Sequence, residues 1–501
     1  MKVLVTGGTG VVGKSAVDHL LRRGHAVRLL SRHAGQDSRQ WAEGVEPYEA
    51  DMGDAESLRG AADGCEAVLH VAGIVAEQPP EVTFDQVNVG GTRRLVDEAR
   101  RAGVRRFVYV SSLGADRGSS GYHRSKKAAE DVVRQEFPGE WLICRPGNVY
   151  GPGDEVISLL LKMVRSLPVV PVVGAGDQPF QPVWMEDLGE VLARAVEGEG
   201  GAGEVLEMAG SELTTMSELL GLLGEITGKS PPRFPVPEWL AKTGTEAAAT
   251  LGVDVPVNTD QITMLLEGNV IPSGRKNALT EVFGITPTPL REGLRILADA
   301  LPEKLPQEGV GRLHRERFWA DIHGSRLSPE EVLLLVRDHF RVLPPDGLLQ
   351  AGAEPGTPTR LEEGATLTLA VPMRGNVQVR VQEVRPRAIT NVTLEGHFFA
   401  GVIRFLADEP RPGVVRFEIR AYTRSASQIE RLAVRTVGKV AQAMTWSTVV
   451  EEVVRRSGGT APEGVQSEDV VVTPEEAEAV ERWTEGLVMQ RKRQENPSSG
   501  G

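Results

Sequence analysis

Lys2-Val3-Leu4-Val5-Thr6-Gly7-Gly8-Thr9-Gly10-Val11-Val12-Gly13 opens the chain, and its reading decides the fold of the first half. An apolar run, Val3 to Val5, breaks into spaced glycines, and Ser15 to Arg23 then carries Val17, Leu20 and Leu21 on one helical face. Strand, turn and helix in that order put Gly7, Gly10 and Gly13 where a tight turn, close backbone approach to a pyrophosphate and close helix–strand packing are needed. The first N–H groups of a helix lack partners within it and so suit a phosphate. Gly7, Thr9, Gly10, Val11, Val12 and Gly13 are the expected first contacts of a dinucleotide.

Outward from this turn, further short apolar runs follow: Val27 to Leu30, Ala67 to Val71, Phe107 to Val110 and Trp141 to Ile143. Helical stretches separate them, which predicts right-handed βαβ units and an α/β fold with a doubly wound parallel sheet. The second run ends Leu30-Ser31-Arg32, where an NAD site carries an acid for the ribose 2′-hydroxyl. Ser31 and Arg32 suit a 2′-phosphate instead, so NADP(H) is preferred over NAD(H); the competing reading leaves Arg32 a solvated loop residue. Asp51 and Met52 are expected at the adenine edge, and Val71, Ala72 and Gly73 beside the dinucleotide.

Tyr122-His123-Arg124-Ser125-Lys126 places Tyr122 and Lys126 four apart, hence on one helical face, after a strand ending in Ser111 and Ser112. A phenol can pass its proton to a carbonyl as hydride arrives, an ammonium beneath it can lower its pKa from ~10, and a serine hydroxyl can orient the carbonyl oxygen. Ser112, Tyr122 and Lys126 are the candidate catalytic set, with Ser111, Tyr122 and Lys126 also expected against the cofactor.

The 501 residues exceed the ~100–200 of one domain, so two or three are expected. Acidic residues outnumber basic ones 69 to 56, a net charge of −13, which argues against a general nucleic-acid binder. No apolar run approaches the roughly 18 residues of a membrane span, and the opening run is too short for a signal-peptide core. Cys65 and Cys144 sit in apolar runs, so neither a disulfide framework nor a metal site is expected, and a cytoplasmic protein is.

Residues 151–300 read as a small helical lobe over the carboxyl edge of the sheet, with a helix beginning near Ser217 and striped by Leu219, Leu220, Leu222, Leu223 and Ile226. Leu301 to Gly311 reads as a linker. Beyond it lies a helix from Ser328-Pro329, then strands over Thr366–Val371, Val377–Val384, Ile389–Leu394, Val402–Leu406 and Val414–Tyr422. A long helix, Ser427–Arg456, follows with Ile429, Ala433, Val437, Val440, Met444 and Val450 on one face, so a curved antiparallel sheet gripping a helix is expected over 312–457. Residues 458–501 read as an acidic, partly disordered tail with room for one helix, Pro474–Lys492.

With these motifs in order, residues 1 to about 300 resemble the short-chain dehydrogenase/reductase superfamily in its extended and atypical, NAD-dependent epimerase/dehydratase-like branch. Asn88-Val89-Gly90-Gly91-Thr92, Arg145-Pro146-Gly147-Asn148-Val149-Tyr150-Gly151-Pro152 and Pro182-Val183-Trp184-Met185-Glu186-Asp187-Leu188 match patterns of that branch. The early Tyr122, Arg32 and the ending Phe283-Gly284-Ile285-Thr286-Pro287-Thr288-Pro289-Leu290 are most similar to relatives of the NADPH-binding accessory subunit of respiratory complex I. The resemblance implies a Rossmann domain and adds Asn88, Pro146 and Gly147 to the cofactor contacts. Ser112 departs from the pattern by preceding Tyr122 by only ten residues. The third region, on Thr393 to His397, Gly401 to Phe405 and Ile419 to Arg424, resembles a helix-grip family akin to lipid-binding domains. That implies a cavity for an apolar ligand, with Glu395, His397, Arg404 and Arg420 as candidate lining; the competing reading makes His397 a turn residue and the arginines solvated.

Three functional readings stay open. One is an NADP(H)-dependent oxidoreductase acting on an unknown carbonyl or alcohol. The second is a non-catalytic NADP(H)-binding scaffold or redox sensor. The third is a sugar-nucleotide epimerase or dehydratase.

Overall fold

Val3, Leu4 and Val5 are fully buried because β1 (Lys2–Thr6) runs through the middle of a seven-stranded parallel sheet. The computed structural model describes residues 1–41, 43–240, 263, 269–345, 347–372, 374–427 and 439–495. The other strands are β2 (Ala26–Ser31), β3 (Val45–Glu49), β4 (Ala67–His70), β5 (Arg106–Val110), β6 (Glu140–Pro146) and β7 (Glu204–Met208). Their order is β7-β6-β5-β4-β1-β2-β3. The order reverses between β1 and β4, which makes the carboxyl end of β1 the crevice where open α/β sheets take ligands.

Side chains alternate across the sheet. Val3 and Val5 meet α1 (Val11–Arg22) and the helix Met185–Val196 through Val17, Leu20, Leu188 and Leu192. Leu4 faces α2 (Thr92–Arg101) and α3 (Gly121–Glu136) through Leu95, Val96, Ala129 and Val133. Both faces are thus covered, which is why the strands read as continuous apolar runs. Cys65 and Cys144 are free and buried, and no metal-ligand cluster occurs among the described residues.

The lobe packs α4 (Val156–Ser166), α5 (Met216–Thr227) and α6 (Leu290–Asp299) around Leu161, Val164, Leu219, Leu223 and Leu294. Its second helix begins at Met216, with Thr215 and Glu218 forming the reciprocal cap, so Ser217 is not the capping residue.

A second, eight-stranded antiparallel sheet follows. Its strands are β8 (Val310–His323), β9 (Gln350–Ala351), β10 (Thr366–Val371), β11 (Gly375–Arg385), β12 (Ala388–Thr393), β13 (Phe399–Arg411), β14 (Val414–Ser425) and β15 (Gln466–Val471). They lie in the order β9-β10-β11-β12-β13-β14-β8-β15. On the concave face α7 (Pro329–His339) and α8 (Lys439–Ser457) bury Val332, Val336, Val449, Val450 and Val453 against Phe318, Phe405 and Phe417. Ile429, Ala433 and Val437 lie outside the described residues, and Met444, expected on the buried stripe, is 56% exposed.

Two stretches differ from their sequence reading. The linker Leu301–Gly311 includes the start of β8 and holds Glu303, which is 6% exposed. The stretch beyond residue 457 adds β15 to the sheet edge and lays α9 (Pro474–Glu495) on the convex face, where Val480 and Val488 meet Val392, Val402 and Tyr422. Its charges have partners: Glu476 pairs with Arg315, Glu481 with Arg424, and Arg491 with Glu303. The helix falls where the sequence left room for one, Pro474–Lys492, and what the acid-rich composition concealed is its packing, because its apolar residues are sparse and serve one narrow seam. No helix among the described residues is long and apolar enough to cross a membrane.

Charges lock the two halves together. Arg165 of α4 donates twice to Glu354, at 2.9 and 2.7 Å, and once each to Gln378 and the Ala298 carbonyl. Glu303 accepts from Arg380 at 2.9 Å and Arg491 at 2.5 Å, with Lys492 at 3.3 Å. Arg493, near the end of α9, donates to the Arg39 carbonyl just beyond β2.

Candidate functional site

The glycine turn has the shape that its spacing predicts. Gly7 adopts φ +68°, and a Cβ there would stand 2.6 Å from the Ala72 nitrogen at the end of β4. A Cβ at Gly13 would collide with the Gly7 carbonyl, so both positions hold α1 against the strand ends. Gly10 is different: only the Gly7 carbonyl oxygen, at 3.6 Å, lies within 4 Å of a Cβ built there. Gly10 also caps α1 with no side-chain hydrogen bond and no acid in the first turn. Exposed Thr9 and half-buried Val11 and Val12 complete an open rim of backbone N–H groups, which fits a pyrophosphate.

At the end of β2, Arg32 is exposed and makes no hydrogen bond or ion pair among the described residues. Ser31 Oγ donates to Asp37 Oδ2 at 2.5 Å and accepts from the His33 nitrogen at 3.2 Å. Asp37, brought back by the short helix Ala34–Asp37, thus occupies the Ser31 hydroxyl. Asp51 is exposed and accepts from the Gly53 nitrogen, while Met52 packs under Gly91.

A buried histidine joins the strand ends. His70 Nδ1 lies 2.7 Å from Thr6 Oγ1, His70 Nε2 lies 2.9 Å from Thr92 Oγ1, and Thr6 Oγ1 also accepts from the Ala72 nitrogen. This clamp sets the separation of the segments that carry Gly7 and Val71-Ala72-Gly73. Sequence reasoning missed it because His70 stands inside an apolar run. Burial, with Lys126 nearby, pushes the His70 imidazole down to about 3. A histidine held neutral favours the fold above its unfolded pKa of ~6.5, and that contribution drains away as pH falls toward the folded value. Between pH 8 and pH 5 the loss from His70 is expected to reach about 2 kcal/mol, at ~1.36 kcal/mol per pH unit below the unfolded pKa. Chemical unfolding of wild type and His70→Gln across that range checks it; the variant should show the shallower slope.

Asn88 Nδ2 donates to Ser125 Oγ at 2.9 Å, and its Oδ1 accepts from the Ile74 nitrogen at 2.8 Å, holding the loop after Gly73 against α3. Ser111 turns away from the crevice: its Oγ donates to Glu130 Oε1 at 2.7 Å, and Arg145 grips both Glu130 oxygens at 2.7 Å. This buried triad ties β5, β6 and α3 together, so Ser111 positions the strand end and its hydroxyl is committed elsewhere. Gly147 is buried beyond Pro146, and the adjacent Asn148 Oδ1 is buried with no partner among the described residues.

Ser112 and Tyr122 meet. Ser112 works against the burial that pushes the Tyr122 phenol up to about 12. Ser120 caps α3 by accepting from the His123 nitrogen, and Phe84 stands edge-on to the Tyr122 ring at 6.2 Å. The ten-residue spacing between Ser112 and Tyr122 is therefore compatible with direct contact. Lys126 Nζ donates to the Val110 carbonyl at 2.7 Å and lies 4.7 Å from the centre of the Tyr109 ring. Burial pushes its ammonium down to about 8, opposed by Glu130. The Tyr122 phenol is thus raised by burial, where the spacing to Lys126 suggests a lowered one.

In the second sheet, His397 lines a cavity, but three other residues expected there do not. Glu395 pairs with Lys162 of α4, Arg420 with Glu418, and Arg404 lies over the Trp483 ring at 4.8 Å. Arg404 and Arg420 face each other on the convex side, where strand alternation places even-numbered residues of β13 and β14.

Residues 3–209 match a sequence profile described as the NAD dependent epimerase/dehydratase family, and residues 339–451 match a domain of unknown function (DUF1990). Sterol demethylase protein B of Methylococcus capsulatus is 34% identical over 258 residues, spanning 47% of this chain and 78% of that protein. Ceramide reductase of Caulobacter vibrioides is 38% identical over 172 residues, 34% of this chain and 53% of that one. Subunit 9 of the NADH dehydrogenase [ubiquinone] 1 alpha subcomplex of Arabidopsis thaliana is 27% identical over 247 residues, 48% of this chain and 61% of that protein. The chain thus spans between about half and four fifths of the curated relatives it matches.

Proposed function

Because the chain belongs to the NAD-dependent epimerase/dehydratase family, we propose that it is an NADP(H)-dependent oxidoreductase that interconverts a carbonyl and an alcohol on an apolar substrate. The observation that carries this reading is the approach of Ser112 to Tyr122 in a chain whose glycine turn leaves an open rim at Gly10. Relatives named for sterol and ceramide chemistry support the apolar substrate.

NADP(H), when bound, supplies or accepts the hydride. Gly7, Gly10 and Gly13 with the first turn of α1 would hold its pyrophosphate, Arg32 its 2′-phosphate, and Asp51 and Met52 its adenine. Val71, Ala72, Gly73, Asn88, Pro146 and Gly147 would flank the nicotinamide half. Ser112 orients the substrate oxygen and Tyr122 exchanges a proton with it. A phenol held up to about 12 is protonated at neutral pH, so Tyr122 is poised to give a proton, the reducing direction. Lys126, anchored on Val110 beside Gly73, would hold the ribose.

NADPH consumption followed by absorbance with a panel of long-chain ketones and aldehydes tests the reading; no turnover with any of them, despite NADPH binding, would count against it. Arg32→Ala is expected to weaken NADPH binding about tenfold or more and leave NADH within twofold, because only NADPH offers the charge that Arg32 would pair. Equal losses for both in a fluorescence titration would remove that role.

One observation favours a scaffold instead: Lys126 is held by Val110 and Tyr109, and the Tyr122 phenol is raised. On that reading NADPH binds and does not exchange, so a chase of bound NADPH with excess NADP+ separates the two.

A further inference from the structure

The end of α9 packs on the turn Ser38–Gln40 of the nucleotide domain. Arg493 donates to the Arg39 carbonyl there through Nε at 3.3 Å and Nη2 at 3.1 Å. Arg39 follows the short helix Ala34–Asp37, and Asp37 accepts from Ser31 at the end of β2. Residues 31–40 therefore form a short bridge, with Arg32 at one end and the contact with α9 at the other.

Little holds this bridge from within. Ala34 is its one buried residue, whereas Arg32, His33, Gln36 and Arg39 are exposed. A helix of one turn does not persist by itself, so the position of the bridge is set by its neighbours. Trp41 Nε1 donates to Asp18 Oδ1 of α1 at 2.5 Å, and Arg493 closes on the turn from α9. Burial and the nearby charge of Lys492 hold the ammonium of Lys14, also on α1, below its usual value, so α1 and the end of α9 are neighbours with the turn between them.

The charges around the bridge are unbalanced. Asp37 is taken by the Ser31 hydroxyl and Glu49 by the Gly35 nitrogen. Arg32, Arg39 and Arg493 have no carboxylate partner among the described residues, although acids outnumber bases in the chain. The bridge thus keeps a positive field, which favours an arriving phosphate.

We propose that Arg493 is a positioning residue for cofactor choice: by fixing the Arg39 end of the bridge, the second domain holds Arg32 ready for the 2′-phosphate. This rests on the assignment of Arg32 to that phosphate. NADH lacks the group, so its binding gains nothing from the brace. A residue from the far end of the chain thereby sets part of the preference of the nucleotide domain.

Dissociation constants for NADPH and NADH are measured on the full chain by nicotinamide fluorescence, for Arg493→Ala, Arg32→Ala and the double variant. A long side chain that must be ordered on binding costs roughly two- to tenfold in affinity. Arg493→Ala is therefore expected to weaken NADPH about fivefold and leave NADH within twofold. In the Arg32→Ala background the same change should move neither cofactor by more than twofold, because the brace acts through Arg32. Should Arg493→Ala fail to fold by circular dichroism, Trp41→Phe frees the same turn from the α1 side and should show the same selective loss. Equal losses for NADPH and NADH would make Arg493 a support of the fold alone and overturn the proposal, as would a selective loss that persists without Arg32. If Arg32→Ala is selective and Arg493→Ala has no effect, the proposal falls and the 2′-phosphate assignment stands; if Arg32→Ala is not selective, both fall.

Discussion

Tyr122→Phe is expected to lower turnover about a thousandfold while NADPH affinity stays within twofold. General acid catalysis by a positioned side chain is worth ~100–10,000-fold, and removing the phenol oxygen deletes the proton donor without changing the ring that packs beside Phe84. The expected kinetic signature is a fall in kcat and kcat/KM together, because the lost interaction exists only while the proton moves. Ser112→Ala should cost less, since it removes only the side chain that opposes the effect of burial on the phenol and that would orient the substrate oxygen. Single-turnover measurement of NADPH oxidation at saturating ketone checks both. Unchanged turnover in the Phe variant would remove Tyr122 from the chemistry altogether.

The largest expected effect on stability comes from Glu303→Gln. Glu303 is held down to about 2: Lys492, Arg380 and Arg491 favour its charged form and outweigh the burial that opposes it. Neutralising it leaves up to three cations facing one another in a buried seam, and breaking a buried pair from one side costs ~3–5 kcal/mol. Since α6, β11 and α9 meet there, the loss should also separate the unfolding of the two halves, which wild type is expected to undergo together. Urea unfolding followed by tryptophan fluorescence and by bound-NADPH fluorescence checks this: the two transitions should coincide in wild type and part in the variant. Glu303→Leu combined with Arg380→Met, which removes the pair from both sides, should recover part of the loss.

Local chemistry was legible in the sequence and distant chemistry was not. The glycine turn, the parallel strands and the Tyr122–Lys126 face are each written within a few consecutive residues, and the spacing that identifies them is the spacing that builds them. The His70 clamp needs Thr6, 64 residues away, and nothing around His70 announces a polar partner. Ser111 shows the converse failure: its place at a strand end suggested the cofactor, but Glu130 and Arg145 claim its hydroxyl from another face of the sheet. In the second sheet, strand alternation alone could have put Arg404 and Arg420 outside the cavity and Asn391 inside it. The start of β8 was hidden because charged residues occupy one face of a strand that runs from a proline-rich stretch. The seam around Glu303 was hidden for a simpler reason: its partners Arg380, Arg491 and Lys492 come from two distant parts of the chain.

The last helix has a consequence for how the protein is made. Arg493 reaches the carbonyl of Arg39 beside the proposed 2′-phosphate loop, and 454 residues separate them along the chain. At ~5–20 residues per second of ribosomal synthesis, roughly 20–90 seconds pass between emergence of that loop and of the helix that braces it. During that interval the nascent nucleotide domain has its glycine turn and its strands but lacks the final support for the segment proposed to hold the 2′-phosphate. If that loop holds the 2′-phosphate as proposed, nucleotide captured on the ribosome would be chosen less strictly than nucleotide bound after release, and a chain shortened before Arg493 would bind with weaker preference for NADPH.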